Sequence, residues 1–300
     1  MEQQKQNVSL PDNAYRELKP GEEYKPLMPA NTTPAEVTPY SVTMGILMAI
    51  IFSAAAAFLG LKVGQVFEAA IPIAIIAVGM GTALGKKNML GQNIIIQSIG
   101  ASSGVIVAGA IFTLPALYIL GLDAQFYQIF LSSLLGGVLG IVLLIPFRKY
   151  FVKDMHGKYP FPEATASTQV LLSGEKSGNQ TKPLLVAGLL GGLYDFAVTT
   201  FGAWTENFTS RVTEFGTMVA DKTKLMFSIN TSAALLGMGY IVGLKYAAII
   251  CAGSALVWWV IVPGIALIFP TVEVANGVQA ANASAEQIFG YAKSIGIGGI

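Results

Sequence analysis

The stretch FYQIFLSSLLGGVLGIVLLIPF, residues 126–147, carries no charged side chain. As a helix it would be about 33 Å long at 1.5 Å per residue, which is enough to cross a hydrocarbon core of about 30 Å. In water the same run would expose a large apolar surface. Arg148 and Lys149 follow it directly, as basic residues follow the cytoplasmic ends of many spans. The stretch therefore predicts a transmembrane helix.

Further apolar runs of similar length accompany this one. They cover residues 41–60, 67–84, 94–120, 183–204, 225–243 and 246–269. The runs show little of the period-two alternation that membrane β-strands require, and a helix satisfies its own backbone polar groups in lipid. The sequence therefore predicts an all-α fold, a polytopic transmembrane helix bundle with about seven spans over residues 40–300.

Glycines recur four residues apart within several runs, for example at Gly100 and Gly104 and at Gly136 and Gly140. At this spacing both glycines lie on one helical face, so two helix backbones can approach closely. We interpret these pairs mainly as packing positions. A substrate path lined by backbone is the alternative interpretation.

The composition excludes several other classes of protein. Hydrophobic residues make up 53% of the chain and charged residues 12%, against about 25% charged in soluble domains. The net charge of +1 provides no field that would attract nucleic acid. With one cysteine, Cys251, and one histidine, His156, no metal site and no cofactor are predicted. Phosphate-loop, zinc-protease and serine-hydrolase motifs are absent from the sequence, so we expect no enzyme activity.

The first 39 residues differ from the rest of the chain. They are polar, contain six prolines and lack the apolar segment of a signal peptide, which predicts a flexible cytoplasmic tail. Lys86 and Lys87 follow the second run, whereas the loop after the third run holds Asp123 and no basic residue. This charge distribution places the amino terminus in the cytoplasm. The loop 205–224 carries Arg211, Lys222 and Lys224 on the predicted outer side, which departs from this distribution.

Residues 160–174 are too short to cross a bilayer and too apolar for an ordinary loop. Pro162 is suited to the first position of a helix, and Glu163 would then lie in the first turn, where the helix dipole favours a negative charge. We predict a re-entrant or broken helix with substrate-binding residues on it, since such elements often form transporter sites. An interfacial helix that only packs is the open alternative. The candidate binding residues of this segment are Glu163, Thr165, Thr168 and Gln169.

The third run opens with a polar face. Its candidate substrate-binding residues are Asn93, Gln97, Ser98 and Ser102, and Ala101 leaves space beside Gln97. In lipid these polar groups either bond to another helix, at about 0.6–2 kcal/mol each, or line an aqueous cavity. We favour the cavity because polar residues are denser here than helix association requires.

Three carboxylates are candidates for proton coupling. Asp195 lies about midway along the fifth run, where an unpaired charge costs at least about 2.5–3.5 kcal/mol. Glu163 competes with Asp195 for this role, and Glu68, at the start of the second run, is the third candidate. A structural hydrogen-bond or ion pair is the alternative for Asp195, and an interfacial position is the alternative for Glu68.

Three stretches of the sequence resemble motifs of the oligopeptide transporter family. Residues 60–74 (GLKVGQVFEAAIPIA) resemble its second-helix signature, and residues 93–104 (NIIIQSIGASSG) resemble its third-helix region. Residues 159–166 (YPFPEATA) resemble its Tyr-Pro-Ser-Gly-Thr-Ala-Thr-Ala motif, with Glu163 in the region that departs from it. Bacterial members related to the yellow-stripe-like branch are the most similar. Family chains are usually longer, so the resemblance implies the amino-terminal half of a transporter, incomplete at its carboxyl end.

The resemblance implies a secondary active transporter that moves short peptides or peptide-like metal chelates, usually by proton symport. The expected partners are such a substrate, protons and the lipid bilayer, with no nucleic acid, and a homodimer is compatible with this function. The expected location is the plasma membrane, the bacterial inner membrane, with multiple spans. The alternative is a truncated, non-transporting membrane subunit that pairs with a second half or regulates a full-length carrier.

Overall fold

A computed structural model describes residues 10–29, 31–63, 69–86, 88–123, 125–159, 161–174, 181–275 and 277–299. The helices are α1 (Pro39–Val63), α2 (Ala70–Ala83), α3 (Leu90–Ile119), α4 (Phe126–Lys149), α5 (Pro162–Ser173), α6 (Thr181–Phe201), α7 (Glu214–Thr223), α8 (Ala233–Val242), α9 (Leu244–Leu256), α10 (Val262–Ile268) and α11 (Ala285–Gly299). The strands are β1 (Asn207–Thr209), β2 (Ser228–Asn230), β3 (Glu273–Ala275) and β4 (Val278–Gln279). The predicted all-α fold is confirmed, since the strands of the described residues form only two small antiparallel sheets of two strands each.

Four of the described helical stretches are long and apolar enough to cross a membrane. They are Pro39–Phe58, Leu90–Ile119, Phe126–Asp154 and Leu244–Ile268. The third includes a π-helical turn that extends α4, and the fourth joins α9 to α10 through another such turn. Shorter apolar helices cover Ala70–Ala83, Leu185–Phe201 and Ala233–Val242.

The sixth predicted span differs from the structure. Only Ala233–Val242 of the predicted range 225–243 is helical, and ten residues reach only about 15 Å. Residues 228–230 instead form β2, which pairs with β1 across the intervening helix α7. Gly243 then joins α8 to α9 with φ of +85° and ψ of 159°, a conformation that is essentially restricted to glycine. The prediction of about seven spans stays a prediction.

The chain divides into two compact units, residues 1–188 and 189–300. In the first unit the centre is α2, whose Ile73, Ala74 and Ala77 are almost completely buried. Gly100 of α3 makes this packing close, since a Cβ there would lie 2.8 Å from the Ile73 Cδ1 atom. Packing was the interpretation favoured for this glycine. A Cβ on Gly136 or on Gly140 of α4 would meet no described atom within 4 Å.

The second unit has a core of its own around α10 and α11. Its buried residues are Met226, Val262, Ala283, Ala285 and Ile288. The rings of Trp258 and Phe289 stack beside this core with centroids 4.6 Å apart. The indole N–H of Trp259 donates to the Met226 carbonyl oxygen at 3.1 Å. The loop that precedes α8 is thereby anchored to the π-helical turn between α9 and α10.

Candidate functional site

A cavity of about 610 Å³ lies in the first unit, between α2, α3, α5 and the N-terminal segment. Its volume falls within the range of about 300–1,000 Å³ that is usual for small-molecule sites. Its polar residues are Gln97, Glu163, Ser167 and Thr168. Its other lining residues are Ala70, Leu90, Ile94, Ala101, Ala164, Leu171 and Leu172 of the helices, and Leu10, Tyr24, Pro26, Leu27 and Met28 of the N-terminal segment.

The cavity owes its carboxylate to the way α5 begins. Pro162 occupies the first turn of the helix, and the amide of Thr165 donates to the Phe161 carbonyl oxygen at 2.9 Å. Pro162 needs no acceptor for a backbone N–H there and has φ fixed near the helical value. Glu163 follows in the same turn, where the helix dipole favours a negative charge. The predicted helix start is confirmed.

Glu163 is half-buried, and within the described part of the chain no hydrogen bond or ion pair engages its carboxylate. Gln97 of α3 is also half-buried and lines the same cavity. The structure thus brings together three predicted binding residues, Glu163, Gln97 and Thr168. The hydroxyl of Thr168 donates within its own helix to the Ala164 carbonyl oxygen at 2.8 Å.

The remaining predicted residues of α3 lie away from this cavity lining. Ser98 and Ser102 are exposed, and the Ser102 hydroxyl donates to the Ile99 carbonyl oxygen at 2.7 Å. Asn93 is 2% exposed, and its Oδ1 atom has no hydrogen-bond partner in the described structure. Gln97 and Ala101 face the cavity as one row, four residues apart, whereas Asn93 on the same row is enclosed by protein.

The remaining predicted residues of α5 have other surroundings. Thr165 is half-buried and is not among the residues that line the cavity. The Gln169 side-chain amide donates to the Tyr15 hydroxyl at 3.2 Å, so it contacts the N-terminal segment. Sequence reasoning did not select that segment or Ser167 as part of the site. Ser167 lies one helical turn after Glu163, on the same face of α5, and this spacing could have indicated that it belongs to the site.

Asp195 belongs to the second unit and has a well-defined set of donors. Its Oδ1 atom accepts from the backbone N–H of Ala233 at 2.8 Å, and its Oδ2 atom accepts from that of Ala234 at 3.1 Å. The Ser232 hydroxyl donates to Oδ2 at 3.2 Å. The carboxylate of α6 therefore caps the amino terminus of α8, where free N–H groups and the helix dipole favour a negative charge.

The neighbouring Tyr194 strengthens the same junction. Its hydroxyl donates to the Thr231 carbonyl oxygen at 3.0 Å and accepts from the Trp204 indole at 3.1 Å. Glu68, the third predicted proton-coupling residue, lies outside the described residues. Among the residues that are described, no group of three or more His, Cys, Asp and Glu side chains has the arrangement of a metal site.

A model of the family described as OPT oligopeptide transporter protein matches residues 36–300 of the chain. The chain belongs to the oligopeptide transporter family. One relative, the "Putative oligopeptide transporter" of Haemophilus influenzae, is 29% identical over 210 residues. The alignment covers 69% of this chain and 32% of the relative, so the aligned residues span about a third of that protein's length. No solved structure matches the chain.

Membership of this family, together with the long apolar helices, establishes a multi-pass membrane protein. In this oligopeptide transporter family chain, the motif at residues 159–166 covers the approach to α5 and its first turn. Ala164, which matches the family motif, lines the cavity, and Glu163, which departs from it, supplies the carboxylate.

Proposed function

We propose that this chain is part of a secondary active transporter that carries short peptides, or peptide-like metal chelates, across the bacterial inner membrane by proton symport. Family membership and the name of the Haemophilus relative support a transport role. The observation that carries the proposal is the half-buried Glu163 carboxylate, which shares a cavity with the Gln97 amide.

The cavity offers groups that are complementary to a peptide. The Gln97 amide has both donors and an acceptor, so it can pair with a peptide N–H and C=O at once. The Ser167 and Thr168 hydroxyls add short polar contacts, and the apolar walls provide space for side chains. Protonated Glu163 can donate a hydrogen bond to a carbonyl or carboxylate oxygen of a peptide or of a peptide-like chelate.

Glu163 is also the carboxylate that we propose for proton coupling. A proton that binds to this carboxylate removes a negative charge from the cavity and provides an O–H donor, so a peptide carboxylate or carbonyl oxygen can bind together with the proton. Loss of the proton on the other side of the membrane would remove that donor and restore the charge, which would release the substrate. For Asp195, the three donors at the start of α8 support a structural role, and its proton-coupling role stays a prediction.

We further propose that the amino terminus is cytoplasmic. Arg148 and Lys149 end α4, and Lys86 follows α2, so basic residues concentrate at the helix ends assigned to that side. A homodimer stays a prediction. Because the alignment covers only a third of the relative, the proposed transport is tested on the complete gene product.

The test is uptake into proteoliposomes of the complete gene product under an imposed inward proton gradient. Labelled tetrapeptide and labelled iron chelate are offered in parallel, and uptake is compared with and without the gradient. The key variant is Glu163→Gln, which keeps the size of the side chain but cannot ionise. We expect its gradient-driven uptake to be about tenfold slower than that of the parent or slower still, which corresponds to ~1.4 kcal/mol. Exchange that does not depend on the gradient should persist.

The matched control is Asp123→Asn, which neutralises an exposed loop carboxylate and should transport like the parent. Gradient-driven uptake that is unchanged in Glu163→Gln would refute the role of this residue. No uptake of either substrate by folded, inserted parent protein would favour the alternative of a non-transporting subunit.

A further inference from the structure

The described N-terminal segment is held against the turn between α4 and α5. The His156 ring donates from Nε2 to the Asn13 carbonyl oxygen at 2.8 Å. The Tyr24 ring lies against the same imidazole with centroids 5.1 Å apart. Two residues of the segment that are eleven positions apart, Asn13 and Tyr24, therefore contact the same side chain, His156.

Gly157 makes the fit of this segment close. It has φ of +73°, and a Cβ built on it would collide with the backbone of Arg16 and Glu17. No other residue type could occupy this position without displacing the segment or straining the turn. The turn thus provides a surface without a side chain, onto which the backbone of the segment packs directly.

The segment also braces itself. The Arg16 guanidinium forms two parallel hydrogen bonds, each 2.8 Å long, with the Glu22 carboxylate. The Lys19 backbone N–H donates to the same carboxylate at 2.9 Å. These bonds close a loop between residues 16 and 22, and the chain then continues to Tyr24 and the imidazole of His156.

The same segment forms one wall of the candidate cavity. Leu10, Tyr24 and residues 26–28 line it opposite the helices. The Tyr15 hydroxyl accepts a hydrogen bond from Gln169, a residue predicted to bind substrate. The chain's own polypeptide thus covers one side of the cavity and contacts α5 beside it.

We propose that residues 10–28 form an N-terminal strap that closes this cavity and must leave α5 before a ligand can pass on that side. The strap is an autoinhibitory element of the chain itself, held by the turn at Gly157 and by Gln169. The identity of the ligand that enters when the strap opens rests on the proposed transport function. The closure itself is independent of that function, because it concerns only access to the cavity.

The test measures access to the cavity directly, without transport. Cys251 is replaced by Ser, and Ser167, which lines the cavity and is 5% exposed, is replaced by Cys as a reporter of similar size. A charged methanethiosulfonate reagent is added to the complete protein in detergent, and the labelling rate is followed. The strap is then loosened with Gly157→Ala. We expect labelling about tenfold faster, which corresponds to ~1.4 kcal/mol of closure.

Two controls match this design. Gly121→Ala places a Cβ at another positive-φ glycine that has open space around it, so the reporter should label at the parent rate. A thiol at exposed Ser228, introduced instead of the reporter, should label equally in all variants. If Gly157→Ala does not fold, a chain that starts at residue 29 replaces it.

Unchanged labelling of the reporter, with Gly157→Ala folded or with the shortened chain in its place, would overturn the strap. Faster labelling in a protein that shows no uptake of either substrate would leave the strap standing and refute the proposed function. The two proposals can therefore fail separately.

Discussion

Replacement of Asp195 by Ala tests whether this carboxylate holds α6 to the start of α8. The change removes the acceptor for two backbone N–H groups and the charge at the helix end. Loss of an N-terminal cap costs about 0.5–2 kcal/mol, and loss of a negative charge near the helix dipole costs about 0.3–1 kcal/mol. The Ser232 hydroxyl oxygen, 3.2 Å from the Ala234 nitrogen, still satisfies one donor. We therefore expect Asp195→Ala to lower the free energy of unfolding by about 2 kcal/mol.

The assay is thermal unfolding of the purified protein in detergent, followed by tryptophan fluorescence, because Trp204 is bonded to Tyr194 at this junction. Asp195→Asn keeps one acceptor oxygen and should cost less than the alanine variant. Thr199→Ala changes an exposed hydroxyl that bonds only within α6 and should stay within about 0.5 kcal/mol of the parent.

A double-mutant cycle with Ser232→Ala sharpens this test. In the double variant the Ala234 nitrogen loses both acceptors, so the combined cost should exceed the sum of the single costs. If Asp195→Ala unfolds at the same temperature as Thr199→Ala, the carboxylate does not hold the junction and the reasoning is refuted.

Three further changes have expected outcomes. Gly100→Ala should lower the free energy of unfolding by about 1–2 kcal/mol, because the added Cβ has no room beside α2. Gly136→Ala, which adds a Cβ in open space, should not lower it, and equal values for the two variants in thermal unfolding would contradict the packing. Gly243→Ala should lower the free energy of unfolding by about 1–3 kcal/mol, because alanine is strained in this backbone conformation. Gly239→Ala, inside α8, is the control, and a loss no larger than that of the control would disprove the strain. The pKa of Glu22 is lowered from 4.5 to about 2 by its hydrogen bonds from the strap arginine and the Lys19 backbone. The hydrogen bonds that close the loop 16–22 of the strap should therefore be intact above pH 4.5 and be lost as the pH falls towards 2, and Glu22→Gln should weaken them at neutral pH. Amide hydrogen exchange of the strap, corrected for the intrinsic effect of pH, measures the pH dependence and the effect of the variant. Protection that does not change with pH would refute the role of Glu22.

The sequence was sufficient where the signal is local. The start of α5 depends on a proline and an acidic residue within one turn, and both act through their immediate backbone. For the same reason Pro162 and Glu163 could be placed in the first turn before any packing was known. The apolar runs predicted α1, α3 and α4 because length and charge alone decide whether a helix can cross a bilayer.

The sequence was insufficient where the partner lies far along the chain. Asp195 finds its donors 37 to 39 residues later, at a helix start that lies in the middle of the sixth predicted span and was not predicted as a helix start. That span merged β2 with α8, because the apolar residues at 225–227 and 233–243 flank the mostly polar stretch 228–232 and raise the mean hydropathy of the whole run. A short strand and a short helix are difficult to distinguish when the run has no clear period.

The inward face of α3 was also only partly predictable. Membrane helices are apolar on several sides, so periodicity does not identify the face that packs. The polar row from Asn93 through Gln97 to Ala101 was correctly taken as one face. The sequence did not show that the first residue of this row is enclosed by protein while the other two reach a cavity.

The contrast between α4 and α2 has a consequence for sequence variation. None of the residues of Phe126–Lys149 is buried, whereas Ile73 and Ala74 of α2 have no exposed surface. Along α4 only the apolar character needs to be inherited, so drift among leucine, isoleucine, valine and phenylalanine is nearly neutral for this chain alone. Along α2 the volume of each side chain is inherited as well. The two helices should therefore diverge at different rates, although both are apolar.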